Sequence, residues 1–241
     1  MKTTILAAIG TLAIAGCTLQ DSSQTATPGQ TTKSYDLASF NALDVATGIE
    51  VEFTTGNAQS VVIENDNGAW DKIIAEVKDD TLHLKRVNKS AFGFNANKEK
   101  FFVTVSAPVI SSVDTSSGSR VTGTGLSGDD VEVDTSSGSS VKITDISAGN
   151  LIIDISSGSS VTLTGTCTSV ITDASSGSSL RANGLVCDAA KIDASSGSST
   201  SLTATSSVVA DASSGSSVTV AGDPESKSIS KSSGASVKIK S

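Results

Sequence analysis

DTSSGSS, Asp134 to Ser140, is the phrase that decides the fold, because it returns through the whole C-terminal half of the chain. Its glycine recurs as Gly118, Gly138, Gly158, Gly177, Gly197, Gly215 and Gly234, at successive spacings of 20, 20, 19, 20, 18 and 19 residues. A period near twenty is the signature of a solenoid in which each repeat buries its apolar face only by stacking on the next.

Alignment on that glycine turns the sequence into columns. Five residues before it stand Val113, Val133, Ile153, Thr172, Ile192, Ala210 and Ile229. Three after it stand Val121, Val141, Val161, Leu180, Thr200, Val218 and Val237, and five after it Gly123, Ile143, Leu163, Ala182, Leu202, Val220 and Ile239. Polar residues fill the positions between, so both flanks of the turn alternate with the period of two that a half-buried strand requires. β-Branched residues dominate where a helical repeat would place Leu, Glu and Lys. Each repeat reads as strand, tight SSG turn, strand and a more variable return. Stacked about 4.8 Å apart, seven such coils make a rod of roughly 34 Å. The expected fold is all-β: a right-handed parallel β-helix of 19–20-residue coils, carrying an N-terminal β-rich cap or insertion.

The boundaries follow from composition. Residues 1–16, with Lys2 and the apolar run ILAAIGTLAIAG, read as a signal peptide too short to span a membrane. It ends in Ile14, Ala15, Gly16 and Cys17, which resembles the lipobox of bacterial lipoproteins. That resemblance implies cleavage and lipidation of Cys17, and Thr18 after it implies delivery to the outer membrane. The alternative is an ordinary secretory signal with an incidental cysteine. Residues 17–33 are Ser, Thr, Gln, Gly and Pro with almost nothing apolar, a flexible tether. Without Lys2, 16 basic residues face 25 acidic ones, which removes the electrostatic case for nucleic acid binding.

Residues 34–110 form the N-terminal β-rich part. FNALDVATGIEVEF places Leu43, Asp44, Val51 and Phe53 around Gly48 in the repeat's own columns, a degenerate first coil. After Gly56 the chain reads as a cap: VVIEN a strand, GAWDKI a helical turn, IIAEVKDDTLHLKRV a hairpin turning at Asp79 and Asp80, and FFVTVSAP a strand. Trp70, Phe92 and Phe94 lie in this part. They read either as a hydrophobic plug that closes the core or as a partner surface. Residues 111–241 are the β-helix repeats.

The LDVATGIEVEF segment, the strand-rich N-terminal part and the D-x-S-S-G-S coils behind a lipoprotein signal resemble the bacterial domain family described as a putative auto-transporter adhesin head, or GIN domain. The likeness runs from about Tyr35 to the C-terminus and is specific for architecture. Where the family's name would place Asn after Gly-Ile, this chain has Glu50.

Four residues before the repeat glycines stand Asp114, Asp134, Asp154, Asp173, Asp193 and Asp211, with Ser230 closing the series. Parallel stacking puts these carboxylates near 4.8 Å apart, where each pair repels by about 1 kcal/mol in water and about 3.5 at an effective dielectric of 20. Two arrangements would relieve this. In Asx-turns each carboxylate accepts bonds from its own SSG turn; in a cation ladder the column ligates Ca²⁺, although the GGxGxD spacing of calcium-binding β-rolls is missing. No catalytic residue and no His/Cys metal site is assigned, since His83 is the only histidine and no G-x-S-x-G elbow occurs. No cofactor is expected.

Cys167 and Cys187 each lie ten residues before a repeat glycine. They therefore share a column in adjacent coils, at a spacing a disulfide accepts; the alternative is two buried free thiols. The reading is a non-enzymatic, lipid-anchored module of the cell envelope, outer membrane in particular, structural or adhesive, held to the membrane by lipid and open to a glycan or protein ligand. The alternative is a carbohydrate-binding or polysaccharide-cleaving β-helix, although the coils after Val113 lack Trp, Tyr and Phe. An ice-binding solenoid fits less well, because the hydroxyls crowd a turn beside Asp rather than a flat strand array.

Overall fold

The computed structural model describes residues 31–56, 58–87 and 99–240. Cys17, Phe92 and Phe94 lie outside them. The first coil is where the alignment put it: β2 (Ala42–Val45) and β3 (Glu50–Thr55) flank Thr47 and Gly48, whose φ angles are 63° and 71°. β2 pairs in parallel with β8 (Ser112–Thr115), and β3 with β9 (Arg120–Thr124).

From there each coil stacks on its predecessor through β10 (Ser127–Thr135), β11 (Ser140–Ile155), β12 (Ser160–Ala174), β13 (Ser179–Ala194) and β14 (Ser199–Ala212). The series ends in β15 (Ser217–Ala221), β16 (Ser226–Lys231) and β17 (Ser236–Lys240). All of these pairings are parallel, and the columns derived from the glycine spacing are the observed register: Val133 faces Ile153, and Val141 faces Val161. Side chains of those columns are buried in one continuous core as far as Val220, whereas in the last coil Val237 and Ile239 are half-buried and Ile229 is exposed.

The return segments are strand rather than irregular connection. β11 runs without interruption from one SSG turn to the next, and register shifts between Ile143 and Ile146, Thr162 and Thr164, and Ala182 and Val186 absorb the unequal coil lengths. A bulge places an extra residue in one strand without losing the pairing on either side.

The cap begins as more solenoid. β6 (Thr81–Arg86) lies parallel to β2, setting Leu82 and Leu84 against Leu43 and Val45; β7 (Phe101–Ala107) lies parallel to β3. Three antiparallel strands then close this end: β4 (Ser60–Asn65) on β7, β5 (Ile73–Lys78) on β6, and β1 (Thr32–Tyr35) on β4. The hairpin does turn at Asp79 and Asp80, with φ of 48° and 57°, and a single 3-10 turn spans Trp70–Lys72. Trp70 packs against the core, as a plug would. β1 begins inside the stretch read as tether. Its TKSY has too little apolar content to mark a strand, and it gains order by pairing with β4 while Lys33 lies 4.6 Å from the Tyr35 ring.

Candidate functional site: an acidic and apolar outer face

The SSG turn explains what faces outward. In the coil of Gly118, the Ser119 amide donates to the Ser116 carbonyl at 3.2 Å, while Ser117 and Gly118 hold φ of 56° and 74°. Two central residues with positive φ make a type I′ turn, for which glycine carries no Cβ penalty. The serine after the glycine points inward and is buried; Ser139 Oγ accepts the Gly118 amide at 3.2 Å, as Ser119 Oγ accepts that of Gly48. Each turn is thus closed by its own backbone bond; the inward hydroxyls of Ser119 and Ser139 reach the glycine amide of the preceding coil, those of Ser159, Ser178 and Ser198 are buried without a partner among the described residues, and none of this uses the aspartate.

The aspartates sit on the strand before the turn, on its outer face. Register brings Asp114, Asp134, Asp154, Asp173, Asp193 and Asp211 into one file, each the direct neighbour of the next. Asp44 extends the file beyond Asp114, His83 of β6 follows it, and Glu76 of β5 is the register partner of His83 in turn. His83 Nδ1 lies 2.6 Å from Asp44 Oδ2, and among the described residues it is the only side chain that hydrogen-bonds an aspartate of the file. The expected Asx-turns are therefore not what relieves the repulsion. Strand alternation aims each carboxylate away from the turn amides.

Partial burial, followed by repulsion from neighbouring carboxylates, raises the pKa of three members of the file. Asp114 is pushed up to about 6 by burial first, then by Asp134, Asp44 and Glu132. Burial and Glu132 raise Asp134; burial, Asp134 and Asp173 raise Asp154. A depression of about 260 Å³ collects Asp44, Asp114, Glu132 and Asp134 with His83, Thr81 and Ser112. Among the described residues no three His, Cys, Asp or Glu side chains are grouped to hold a metal ion. A straight file offers any one cation two neighbouring carboxylates, well short of the six to eight oxygens Ca²⁺ takes.

Two residues before the aspartates, on the same outer face, runs a second file: Glu132, Ile152, Ile171, Lys191 and Val209. Ile152, Ile171 and Val209 remain 40%, 50% and 48% exposed, beside carboxylates. A third file, Asp130, Asn150 and Ser169, is knitted by hydrogen bonds of 3.0 and 2.8 Å. Sequence reasoning found the aspartates and set Asp44 in the same column, but missed His83 and the apolar file. The signal for His83 was present, since LHL at Leu82–Leu84 matches LDV at Leu43–Val45.

On the far side of the coil, Cys167 and Cys187 are register partners with Cα atoms 4.5 Å apart, and they are joined as a disulfide.

Solved structures share this architecture. A putative adhesin from Bacteroides fragilis aligns with a TM-score of 0.76 and 22% identity over 87% of this chain and 96% of its own. A putative lipid binding protein from Parabacteroides distasonis aligns with a TM-score of 0.66 and 16% identity, covering 87% and 96%. A putative adhesin from the same organism gives 0.63 and 15%, again covering 87% and 96%. At these identities the likeness is one of fold. No curated protein matches the chain. At the family level residues 39–224 match, and the chain belongs to the family described as putative auto-transporter adhesin, head GIN domain.

Proposed function

We propose that this protein is a non-enzymatic binding module of the bacterial envelope, anchored by lipid at Cys17 and displaying its solenoid at the end of a short tether. The observation that carries the reading is the outer face itself. A register-locked sheet repeats the acidic column coil after coil and sets Ile152, Ile171 and Val209 beside it, which is the form of an extended contact surface rather than of a cleft. The family's description as an adhesin head supports the same reading, as does the lipobox-like end of the signal sequence.

A second reading, polysaccharide cleavage, draws on one feature: the depression where Asp114, held near 6, lies with Asp44, Glu132 and His83. A carboxyl raised toward neutrality beside ionised ones is the arrangement glycoside hydrolysis uses. Glycan-array binding paired with a reducing-sugar release assay separates the two. Binding to a surface component without turnover is the expected result; sugar release that disappears in Asp114→Asn would overturn it.

A further inference from the structure

The acidic and apolar files meet in one patch: Glu132, Asp134, Ile152, Asp154, Ile171 and Asp173, register neighbours on one sheet face. One basic side chain, Lys191, borders it as the register neighbour of Ile171. Two half-exposed isoleucines paired side by side along a line of carboxylates call for a partner that answers both chemistries. Resting on the binding-module reading above, we infer that this face docks a cationic amphipathic polypeptide, its apolar side chains seated on Ile152 and Ile171 and its lysines or arginines on Asp134, Asp154 and Asp173.

Charge and shape select that class over others. The chain's net charge of −8 draws basic polypeptides and repels anionic lipid headgroups. The coils after Val113 carry no aromatic platform for a sugar ring. A bare cation would leave the isoleucines unexplained. The file repeats about every 4.8 Å and an α-helix advances 5.4 Å per turn, a mismatch that flexible lysine stems absorb over three or four coils. Neighbouring carboxylates that repel one another, and that burial further disfavours as anions, gain most from fixed positive charges laid between them.

The test uses the full chain in detergent and a synthetic peptide whose Lys and Leu residues form adjacent helical stripes, measured by calorimetry. Binding that weakens as salt rises is expected. Ile152→Ser with Ile171→Ser should weaken it by about tenfold or more, as loss of that buried apolar area predicts. Asp154→Asn with Asp173→Asn should do the same, whereas Lys142→Ser, on the face after the turn, should leave it unchanged. Both pairs lie at the surface, and the Asn pair removes repulsion, so the variants keep the fold. Equal binding of a Lys/Ser peptide without Leu, unchanged by the isoleucine variants, would overturn the inference, as would no binding at all. The binding-module reading is scored separately: ligand capture on the glycan array without sugar release keeps it standing when the peptide fails, and sugar release sinks it whatever the peptide does.

Discussion

Aspartate is an awkward residue to repeat once per coil of a parallel stack, and its consequence is a stability that runs against the usual acid sensitivity. Asp114, Asp134 and Asp154 all have folded-state pKa values raised above the unfolded value, Asp114 to about 6. A raised group favours folding fully below its unfolded pKa and loses that contribution as pH rises through the folded one. The melting temperature should therefore rise as pH is lowered from about 7 toward about 4, across the window set by Asp114. Glu76 and Glu99 run the other way. Their hydrogen bonds to Lys78 and Lys72 lower their pKa, so those contacts are lost only in more acidic solution. Asp114→Asn should stabilise the protein at neutral pH by about 1 kcal/mol, at the water-like end of the repulsion range because the residue faces solvent on the outer sheet face even though its neighbours partly cover the carboxylate. It should also flatten the pH dependence. Thermal melts of both chains across this range check the sign, and a wild-type melting temperature that falls steadily on acidification would contradict it.

At the scale of the element, the turn and the strand ladder were legible because their rules are local. Ser-Ser-Gly at a fixed spacing between alternating apolar positions dictates a two-residue turn, and the register of Cys167 with Cys187 follows by counting. The cap was less legible. Leu82-His83-Leu84 belongs to the solenoid register, but no SSG turn follows it, so the segment reads as an ordinary hairpin. The Asx-turn expectation failed for a related reason: composition places Asp near the turn amides, but alternation sets its direction. Glycines separate these effects experimentally. A Cβ at Gly158, φ 72°, meets nothing within 4 Å, so Gly158→Ala should cost only the left-handed penalty of about 1–2 kcal/mol. At Gly165 a Cβ would come within 2.3 Å of the Ile146 carbonyl oxygen, so Gly165→Ala should cost clearly more in denaturant unfolding. Equal losses would show that the bulge at Gly165 relaxes freely. For the disulfide, which closes a sequence separation of 20, alkylation of unreduced, denatured protein should leave Cys167 and Cys187 unmodified. Reduction should lower stability by roughly 3 kcal/mol in the chain-entropy view. Two alkylated thiols in the unreduced sample would contradict the pairing.

For the whole molecule, parallel stacking makes the rod stiff and gives every outward position a repeated neighbour, so a single substitution pattern per coil becomes a surface. The cap strands β1, β4 and β5 close one end with antiparallel pairing. At the other end β16 and β17 carry Lys227, Lys231, Lys238 and Lys240, charges of the kind that discourage edge-to-edge association. Such a rod works as an envelope module only if something holds it there, the role proposed above for lipidated Cys17. The direct measurement is detergent-phase partition of cell extracts containing the wild-type chain or Cys17→Ala. Wild-type protein in the detergent phase and Cys17→Ala shifted to the aqueous or uncleaved precursor fraction is the predicted result; identical partition of the two would contradict the lipid anchor.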